Sequence, residues 1–315
     1  MTGRGRGRGP VRALLPHRDA VERLGGAPDG VVIDTFSGRG ELPARAAEVE
    51  FWVPAIHAGG EALDVLDRLP ALRVVQTLTA GVEALVDRIP AGVTLCDARG
   101  VHDSSTAEWV LAVLLAHYRE LPRFVLAQHA GRWDAGATDE LADKTVLIVG
   151  YGSIGAAIEA RLQPFGVELL RVARRSRPEA GVADVAALPE LLPRADAVVV
   201  ILPLTAATRG LVDADFLARM RPGTLLVNAG RGPSVVTDAL LAELTSGRLR
   251  AALDVTDPEP LPVGHPLWSA PGLLLTPHVA GAVGGVLPRG YRLVRAQLER
   301  YVASEPLANV VTEGY

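Results

Sequence analysis

A glycine-rich turn between an apolar run and a helix-forming segment is the feature that most constrains this chain. Residues 145–155 read Thr-Val-Leu-Ile-Val-Gly-Tyr-Gly-Ser-Ile-Gly. The apolar residues 146–149 suit a strand that is buried on both faces, as in a parallel sheet. Residues 156–162, which follow the glycines, are good helix formers. The sequence therefore predicts a strand–turn–helix unit, the context in which a G-x-G-x-x-G motif binds a dinucleotide.

Each glycine of this motif has its own task in such a site. Gly150 permits the tight turn, Gly152 lets a pyrophosphate approach the backbone, and Gly155 lets the helix pack closely on the strand. The phosphates would lie at the helix N-terminus, beside Ser153 and Ile154, where free N–H groups and the helix dipole favour an anion. A structural turn that binds nothing is the alternative.

The composition excludes several other classes of protein. The chain has 315 residues, which suggests two domains, and its 49% hydrophobic content is that of a globular protein. A net charge of −4 gives no overall basic field for nucleic acid or a membrane surface. No apolar run reaches the ~18–20 residues of a membrane span. Cys96 is the only cysteine, which rules out an intrachain disulfide and fits the reducing cytoplasm.

The N-terminus is unusual because glycine and arginine alternate over residues 3–9. Such a repeat can bind RNA, but a solvated flexible tail is the interpretation that we favour. No metal site is assigned anywhere in the sequence. We therefore expect a cytoplasmic protein that binds neither nucleic acid nor a membrane.

Short apolar runs alternate with helical spacings on both sides of the glycine motif, which implies parallel sheets. Before the motif they predict strands at residues 31–33, 51–54, 72–78 and 93–96, and a helix at 61–69. After the motif they predict strands at 167–173, 195–202, 223–228, 251–255 and 273–276, and helices at 213–219, 238–245 and 288–303. The fold class is therefore α/β, with a small first domain that ends near residue 98 and a doubly wound sheet after it.

A long helix over residues 104–119 is predicted between the two regions. Ser104 and Ser105 are good caps, and Glu108 follows Ser105 at the spacing of a capping box. The residues from Trp109 to Ala116 are apolar nearly all round, which is typical of a helix buried between domains or subunits.

Polar side chains follow three strands of the second sheet. Arg231 follows the strand at 223–228, Glu259 the strand at 251–255, and His278 the strand at 273–276. In an open α/β sheet, ligands bind beyond the carboxyl ends of the strands. Each residue alone could be a surface ion pair, a loop residue or a helix-start residue, but their shared position favours a site.

Together these three residues suit one chemistry. Histidine can transfer a proton at neutral pH, and a carboxylate such as Glu259 on its far nitrogen fixes the tautomer and stabilises the imidazolium. Arginine offers a planar fork for a substrate carboxylate and polarises an adjacent carbonyl. Beside a nicotinamide, these groups would reduce a 2-keto acid to a 2-hydroxy acid.

At this point the sequence resembles the D-isomer-specific 2-hydroxyacid dehydrogenases, and especially the glyoxylate and hydroxypyruvate reductases. The matching motifs span most of the chain but not its first seventy residues. They are Thr79-Ala80-Gly81-Val82, Ser105-Thr106-Ala107-Glu108, the glycine motif, Leu202-Pro203-Leu204-Thr205, Asn228-Ala229-Gly230-Arg231-Gly232, Leu253-Asp254-Val255, Pro258-Glu259-Pro260, His265-Pro266-Leu267-Trp268 and Thr276-Pro277-His278.

The resemblance implies two Rossmann-like domains, with a dinucleotide-binding domain (residues 99–282) inserted into a discontinuous substrate domain (residues 1–98 and 283–315). It implies that Arg231 binds and polarises the keto acid, that His278 donates the proton and that Glu259 is its partner. Backbone N–H groups of Ala80 and Gly81 would receive the substrate carboxylate, and Asp254 would contact the nicotinamide carboxamide. Other implied cofactor-binding residues are Thr106, Leu202, Pro203, Thr208, Ala229, Gly230 and Gly281. A homodimer is also implied, in which Trp133 reaches the neighbouring active site.

One departure from the pattern of NAD enzymes bears on the cofactor. In those enzymes an acidic residue ends the strand after the glycine loop and binds the ribose hydroxyls. Here Ala173 is followed by Arg174, Arg175, Ser176 and Arg177. Arginines at this position suit a 2′-phosphate, so we predict NADP(H) in preference to NAD(H), unless these side chains simply face solvent.

Other members of the wider family fit less well. Formate dehydrogenases of this fold carry glutamine where Glu259 stands. Phosphoglycerate dehydrogenases are usually NAD enzymes, and many carry a C-terminal regulatory domain, whereas this chain ends at Tyr315. A phosphoglycerate-dehydrogenase-like NAD enzyme and a non-catalytic, dinucleotide-sensing corepressor remain as alternatives.

Overall fold

The computed structural model describes residues 9–56 and 64–312. The Gly-Arg repeat up to residue 8 and the first three residues of the helix predicted at 61–69 lie outside the described residues. The chain forms two compact units, one running up to His102 and resuming at Gly284, the other spanning Asp103–Val283. The first boundary lies after His102 rather than after residue 98, because Val101 packs in the core of the first unit.

The first unit contains a sheet of five parallel strands in the order β2-β1-β3-β4-β5. The strands are β1 (Val11–Leu15), β2 (Val31–Thr35), β3 (Val49–Trp52), β4 (Val74–Gln76) and β5 (Thr94–Cys96). Strand β1 was not predicted, because its short run contains a charged residue. Its five residues are nevertheless all buried, and Arg12 pairs with Asp34 on β2 at 2.6 Å.

The helices of this unit include the predicted C-terminal helix, which spans Val286–Val302. Its Tyr291, Val294 and Leu298 pack in the core of the first unit. Buried Gln297 donates to the side-chain oxygen of Gln76 on β4 at 2.8 Å, so the helix is bonded to the sheet. The other helical segments are short: Ala20–Arg23, Ala46–Glu48, Leu66–Arg68 and Glu83–Val86.

The second unit contains seven parallel strands in the order β12-β11-β10-β9-β6-β7-β8. They are β6 (Thr145–Val149), β7 (Glu168–Val172), β8 (Val182–Ala183), β9 (Ala197–Val200), β10 (Leu225–Asn228), β11 (Arg250–Leu253) and β12 (Leu273–Leu275). The order reverses between β6 and β9, which makes this the topological switch point of a doubly wound sheet. The two sheets confirm the predicted fold class.

Helices cover the second sheet. The longer ones span Asp103–Tyr118, Leu121–His129, Ser153–Leu162, Ala214–Arg219 and Thr237–Thr245, and short helical turns span Gln163–Phe165, Pro178–Ala180, Val185–Ala187, Leu188–Leu191, Leu192–Arg194, Gly232–Ser234 and Pro266–Ser269. Among the described residues, no helix combines the length and apolar character that crossing a lipid bilayer requires.

The start of the first long helix corrects one prediction. The helix begins at Asp103, so Ser105 lies inside its first turn and is buried instead of capping it. The hydroxyl of Ser104 donates to the carboxylate of Glu108 at 3.1 Å. The helix at Leu121–His129 was missed, because its apolar residues stand mainly in one consecutive run, Phe124 to Ala127, and do not follow a helical spacing.

Candidate active site

The glycine motif lies at the switch point, between β6 and the helix Ser153–Leu162. Gly150 has a φ of +108°, and a Cβ there would overlap the carbonyl of Ile201, which follows β9. A Cβ at Gly155 would lie 3.2 Å from the carbonyl oxygen of Gly150. Close packing therefore requires glycine at position 150 and leaves little room for a side chain at Gly155.

Gly152 differs from its two neighbours in the motif. No atom lies within 4 Å of the position where its Cβ would stand, and it is the residue immediately before the helix. Open space at a helix N-terminus is the environment that a pyrophosphate needs. The loop therefore fits the dinucleotide predicted for it, with Ser153 and Ile154 in the first turn beside it.

The other loops of the predicted cofactor site also lie at the carboxyl ends of the strands. A Cβ at Gly230, after β10, would lie 2.8 Å from the backbone nitrogen of Leu202, after β9. The hydroxyl of Thr208 donates to the carbonyl of Pro203 at 2.7 Å, a bond that closes the loop after β9. Close backbone contact thus joins the segments that carry Leu202, Pro203, Thr208, Ala229 and Gly230.

The helix that carries Thr106 is bonded to the helix that follows the glycine loop. The hydroxyl of Ser153 donates to the carboxylate of Asp103 at 3.3 Å, which joins the first turns of the two helices. Thr106 lies in the first turn of its helix and is buried. Its predicted contact with the cofactor stays a prediction.

The end of β7 presents the arginines that the sequence singled out. Arg174 and Arg175 are exposed, and neither forms a hydrogen bond or ion pair with another described residue. The hydroxyl of Ser176 donates to the carbonyl of Val182 at 3.2 Å. Two guanidinium groups are therefore available to an anionic ligand at this edge.

His278 and Glu259 form the central polar pair of the site. The Nδ1 atom of His278 lies 2.6 Å from a carboxylate oxygen of Glu259, and the two side chains are 49% and 40% exposed. Because an ionised carboxylate only accepts hydrogen bonds, Nδ1 carries the proton in this bond. The Nε2 atom of the ring forms no hydrogen bond with another described residue.

The backbone of His278 is held in an uncommon conformation. Its φ is +55°, in the left-handed region that residues other than glycine rarely adopt. Its N–H donates to the carbonyl of Asp254 at 2.7 Å and to that of Thr276 at 3.1 Å. Such a conformation persists only where surrounding contacts hold it, and it is common at functional sites.

The side chain of Asp254 supplies most of those contacts. It is only 2% exposed, and it accepts hydrogen bonds from the Thr276 hydroxyl at 2.6 Å and the N–H groups of Val279 and Ala280 at 2.8 and 2.9 Å. The resemblance implied that Asp254 contacts the nicotinamide carboxamide. In the structure its carboxylate binds the loop that carries His278, and its contact with the cofactor stays a prediction.

Arg231 is positioned by a buried asparagine. The side chain of Asn228 accepts from the N–H of Gly230 and donates to the carbonyl of Arg231, both at 3.0 Å. A Cβ at Gly232 would overlap the carbonyl of Thr256, so the loops after β10 and β11 are packed backbone to backbone. The segments that carry Arg231, Glu259 and His278 therefore follow three adjacent strands at one edge.

The predicted substrate loop belongs to the first unit, where it follows β4. The hydroxyl of Thr79 donates to the carbonyl of Gly81 at 2.9 Å and shapes the turn that contains Ala80. A cavity of about 110 Å³ lies beside it, lined by residues that include Pro54, Ile56, Leu78, Val82 and Leu85.

Sequence reasoning missed the supporting residues of the site. Thr276 and Asn228 stand in the quoted motifs, but nothing in the motifs shows that they hold the loops. For Asn228, a polar residue at the last position of a buried strand was the available signal, because such a residue needs partners. Within the described residues, no group of three or more histidine, cysteine, aspartate or glutamate side chains could hold a metal ion.

A glycine-rich loop at the switch point and a histidine–carboxylate pair at neighbouring strand ends are typical of a dinucleotide-dependent oxidoreductase. Comparison with known proteins agrees with this class. The family model of the D-isomer specific 2-hydroxyacid dehydrogenase NAD-binding domain matches residues 111–280. The human glyoxylate reductase/hydroxypyruvate reductase is 37% identical over 231 residues, which are 69% of this chain and 70% of the human protein.

Solved structures show the same likeness over nearly the whole chain. A D-isomer specific 2-hydroxyacid dehydrogenase from Xanthobacter autotrophicus Py2, in complex with NADPH and MES, has a TM-score of 0.84 at 32% identity and covers 97% of this chain and 98% of its own. An NADPH-dependent glyoxylate/hydroxypyruvate reductase from Sinorhizobium meliloti, with NADP and sulfate, has a TM-score of 0.81 at 30% identity, over 96% and 98%. This chain belongs to the D-isomer-specific 2-hydroxyacid dehydrogenases, a family of oxidoreductases.

The bonds of Asp254 generate a first prediction. In Asp254→Asn the amide would present a donor to the N–H of Ala280, so the His278 loop should shift. We expect kcat to fall at least about tenfold, as small misplacements of reacting groups do, while the Kd for cofactor changes little. Thr276→Val, which removes one of the three bonds, is the graded control. A raised Kd with unchanged kcat would instead support the carboxamide contact.

Proposed function

We propose that this protein is an NADP(H)-dependent reductase of small 2-keto acids, similar in activity to glyoxylate and hydroxypyruvate reductases. The 2.6 Å bond between His278 and Glu259, on loops that adjoin the dinucleotide cradle, is the observation that carries this proposal. The curated relative from human and the solved relative from Sinorhizobium meliloti, both named for these substrates, support it.

The residues that would hold the cofactor are those of the loops after β6 and β9, at the switch point, and the arginines after β7. When bound, NADPH supplies a hydride from C4 of its nicotinamide to C2 of the keto acid. His278 holds a proton at Nε2 and donates it to the substrate oxygen. Glu259 keeps the proton of Nδ1 in place and stabilises the imidazolium, so that the ring presents the correct nitrogen.

The substrate-binding residues that the resemblance implies are Arg231 and, in the first unit, Ala80 and Gly81. The guanidinium of Arg231 forms a planar fork that suits a carboxylate and polarises the adjacent carbonyl. By the same resemblance, the backbone N–H groups of Ala80 and Gly81 would receive the substrate carboxylate. The modest cavity beside that loop suits a small substituent on C2.

The preference for NADP(H) rests on charge at the end of β7. Neither Arg174 nor Arg175 has a partner among the described residues, so neither guanidinium is neutralised by the protein. A 2′-phosphate carries negative charge and several acceptor oxygens, which two free guanidinium groups can bind. The solved relatives in complex with NADPH or NADP support the same preference.

Replacement of the histidine tests the catalytic assignment. His278→Asn suits the left-handed backbone, because asparagine tolerates it, but its amide cannot donate a catalytic proton. We expect glyoxylate reduction to fall by at least about 100-fold with an unchanged Kd for NADPH, measured by nicotinamide absorbance and fluorescence. Near-wild-type turnover in this variant would refute the role of His278 as proton donor.

The cofactor preference is tested on the unmodified protein. We expect kcat/KM with NADPH to exceed that with NADH by at least about tenfold, the effect of one or more charge-assisted hydrogen bonds. Glyoxylate, hydroxypyruvate and a branched keto acid are the substrates for this comparison. A tenfold preference for NADH would favour the phosphoglycerate-dehydrogenase-like alternative, and tight NADPH binding without turnover would favour a sensor.

We also propose a homodimer, together with the cytoplasmic location expected from the single cysteine. The helix Leu121–His129 exposes Leu121, Val125 and Leu126, and Trp133 beyond it is 97% exposed. Apolar side chains grouped in this way mark protein–protein contacts, whereas scattered ones do not. The resemblance implies that Trp133 reaches the neighbouring active site.

A charge in this apolar group tests the dimer. Leu126 is 69% exposed, so Leu126→Glu should leave the fold intact but bury a carboxylate in the interface, and light scattering should show a monomer. Val263→Glu is the matched control, because Val263 is fully exposed and lies outside this helix. If Leu126→Glu and wild type have the same mass, this face is not the interface.

A further inference from the structure

A network of contacts joins the glycine loop to β7, and the proposed function leaves its members without a role. Tyr151, the second residue of the motif, donates its hydroxyl to Glu159 at 2.6 Å. Glu159 lies in the helix that follows, where it is almost fully buried. It also accepts two hydrogen bonds of 2.6 Å from the guanidinium of Arg171 on β7. The tyrosine ring is thus bonded, through one carboxylate, to both helix and strand.

The carboxylate at the centre of this network is fixed in its charged form. Bidentate arginine–carboxylate pairs are strong and geometrically specific. The hydrogen bonds from Arg171 lower the pKa of Glu159 below its ordinary value. The hydroxyl of Tyr151 therefore has a permanent acceptor, which fixes the orientation of its ring.

This fixed tyrosine holds the third arginine after β7. The Nη2 atom of Arg177 donates to the carbonyl of Tyr151 at 2.6 Å. The guanidinium carbon of Arg177 lies 5.5 Å from the centre of the Tyr151 ring, within the range of a cation–π contact. Arg177 is therefore anchored on the glycine loop, whereas Arg174 and Arg175 are not.

The position of Arg177 is the one that cofactor selection requires. In this fold the residues at the end of the second strand recognise the ribose 2′ position, beside the loop that binds the pyrophosphate. A guanidinium has five N–H donors, so the bond to Tyr151 leaves others for a phosphate. An anchored side chain also loses less conformational freedom on binding.

We propose that Tyr151, held by Glu159 and Arg171, is a positioning residue for cofactor selection: it fixes Arg177 beside the glycine loop, where the guanidinium receives the 2′-phosphate. This inference rests on the proposed preference for NADP(H). It goes further, because it assigns the main recognition to the anchored arginine and gives the variable second position of the motif a role.

The test measures binding to the cofactor-free protein and turnover separately. The probes are 2′,5′-ADP and 5′-AMP, which differ only in the 2′-phosphate, and their affinities are read by calorimetry. Arg177→Ala should lower the affinity for 2′,5′-ADP about tenfold. The affinity for 5′-AMP and kcat/KM with NADH should stay within about twofold of wild type. Arg194→Ala is the matched control. This exposed arginine pairs with Glu168 and precedes β9, so it lies at the amino ends of the strands, away from the glycine loop.

Two substitutions of the tyrosine test its positioning role. Tyr151→Leu removes the ring. It should lower the affinity for 2′,5′-ADP, as Arg177→Ala does, and leave the affinity for 5′-AMP unchanged. Tyr151→Phe keeps the ring, and with it the cation–π contact, but loses the bond to Glu159, so its affinity for 2′,5′-ADP should lie between those of Tyr151→Leu and wild type. An affinity for 2′,5′-ADP in Tyr151→Leu equal to wild type would overturn the positioning role.

The remaining outcomes separate this inference from the proposed function. If Arg175→Ala loses 2′,5′-ADP affinity and Arg177→Ala does not, the NADP(H) preference stands and the role of Arg177 is overturned. If the unmodified protein binds 2′,5′-ADP no more tightly than 5′-AMP, and uses NADH as well as NADPH, both are overturned.

Discussion

Close backbone contact at the carboxyl edge of the second sheet is the constraint on which the rest of the site depends. A Cβ at Gly150 would overlap the carbonyl of Ile201, and one at Gly232 would overlap that of Thr256. Gly230 is nearly as close to Leu202. Because these three contacts link the loops after β6, β9, β10 and β11, the glycine loop and the loops that carry Arg231 and Glu259 form one packed layer.

Buried polar side chains also hold the loops of the site through hydrogen bonds. Asp254 satisfies three donors of the segment that carries His278, and Asn228 bridges the turn that carries Arg231. Buried polar groups of this kind are costly unless paired, so each one specifies a single loop conformation. The exposed pair of His278 and Glu259 can then remain open to substrate while its backbone is held.

Much of this arrangement could be predicted from the sequence, and the reason is local. The glycine spacing and the residues after β10, β11 and β12 are short motifs whose meaning depends only on the preceding strand. The predicted parallel sheets and the family are confirmed. The roles of the individual site residues stay predictions.

Features that depend on distant contacts could not be predicted. Strand β1 contains Arg12 and looks unlike a central strand, but its partner Asp34 lies on β2. The bonds of Asp254 join residues more than twenty positions apart, and the anchoring of Arg177 joins residues 26 positions apart. Ser105 looked like a cap because the local signal could not show that the helix begins at Asp103.

The central claim is that this site transfers a hydride from NADPH to C2 of a small 2-keto acid while His278 supplies the proton. Incubation of the protein with glyoxylate and NADPH labelled with deuterium at the transferring C4 position tests it directly, with NMR of the product. We expect one deuterium on C2 of glycolate. Loss of the label to water, or no glycolate at all, would contradict it.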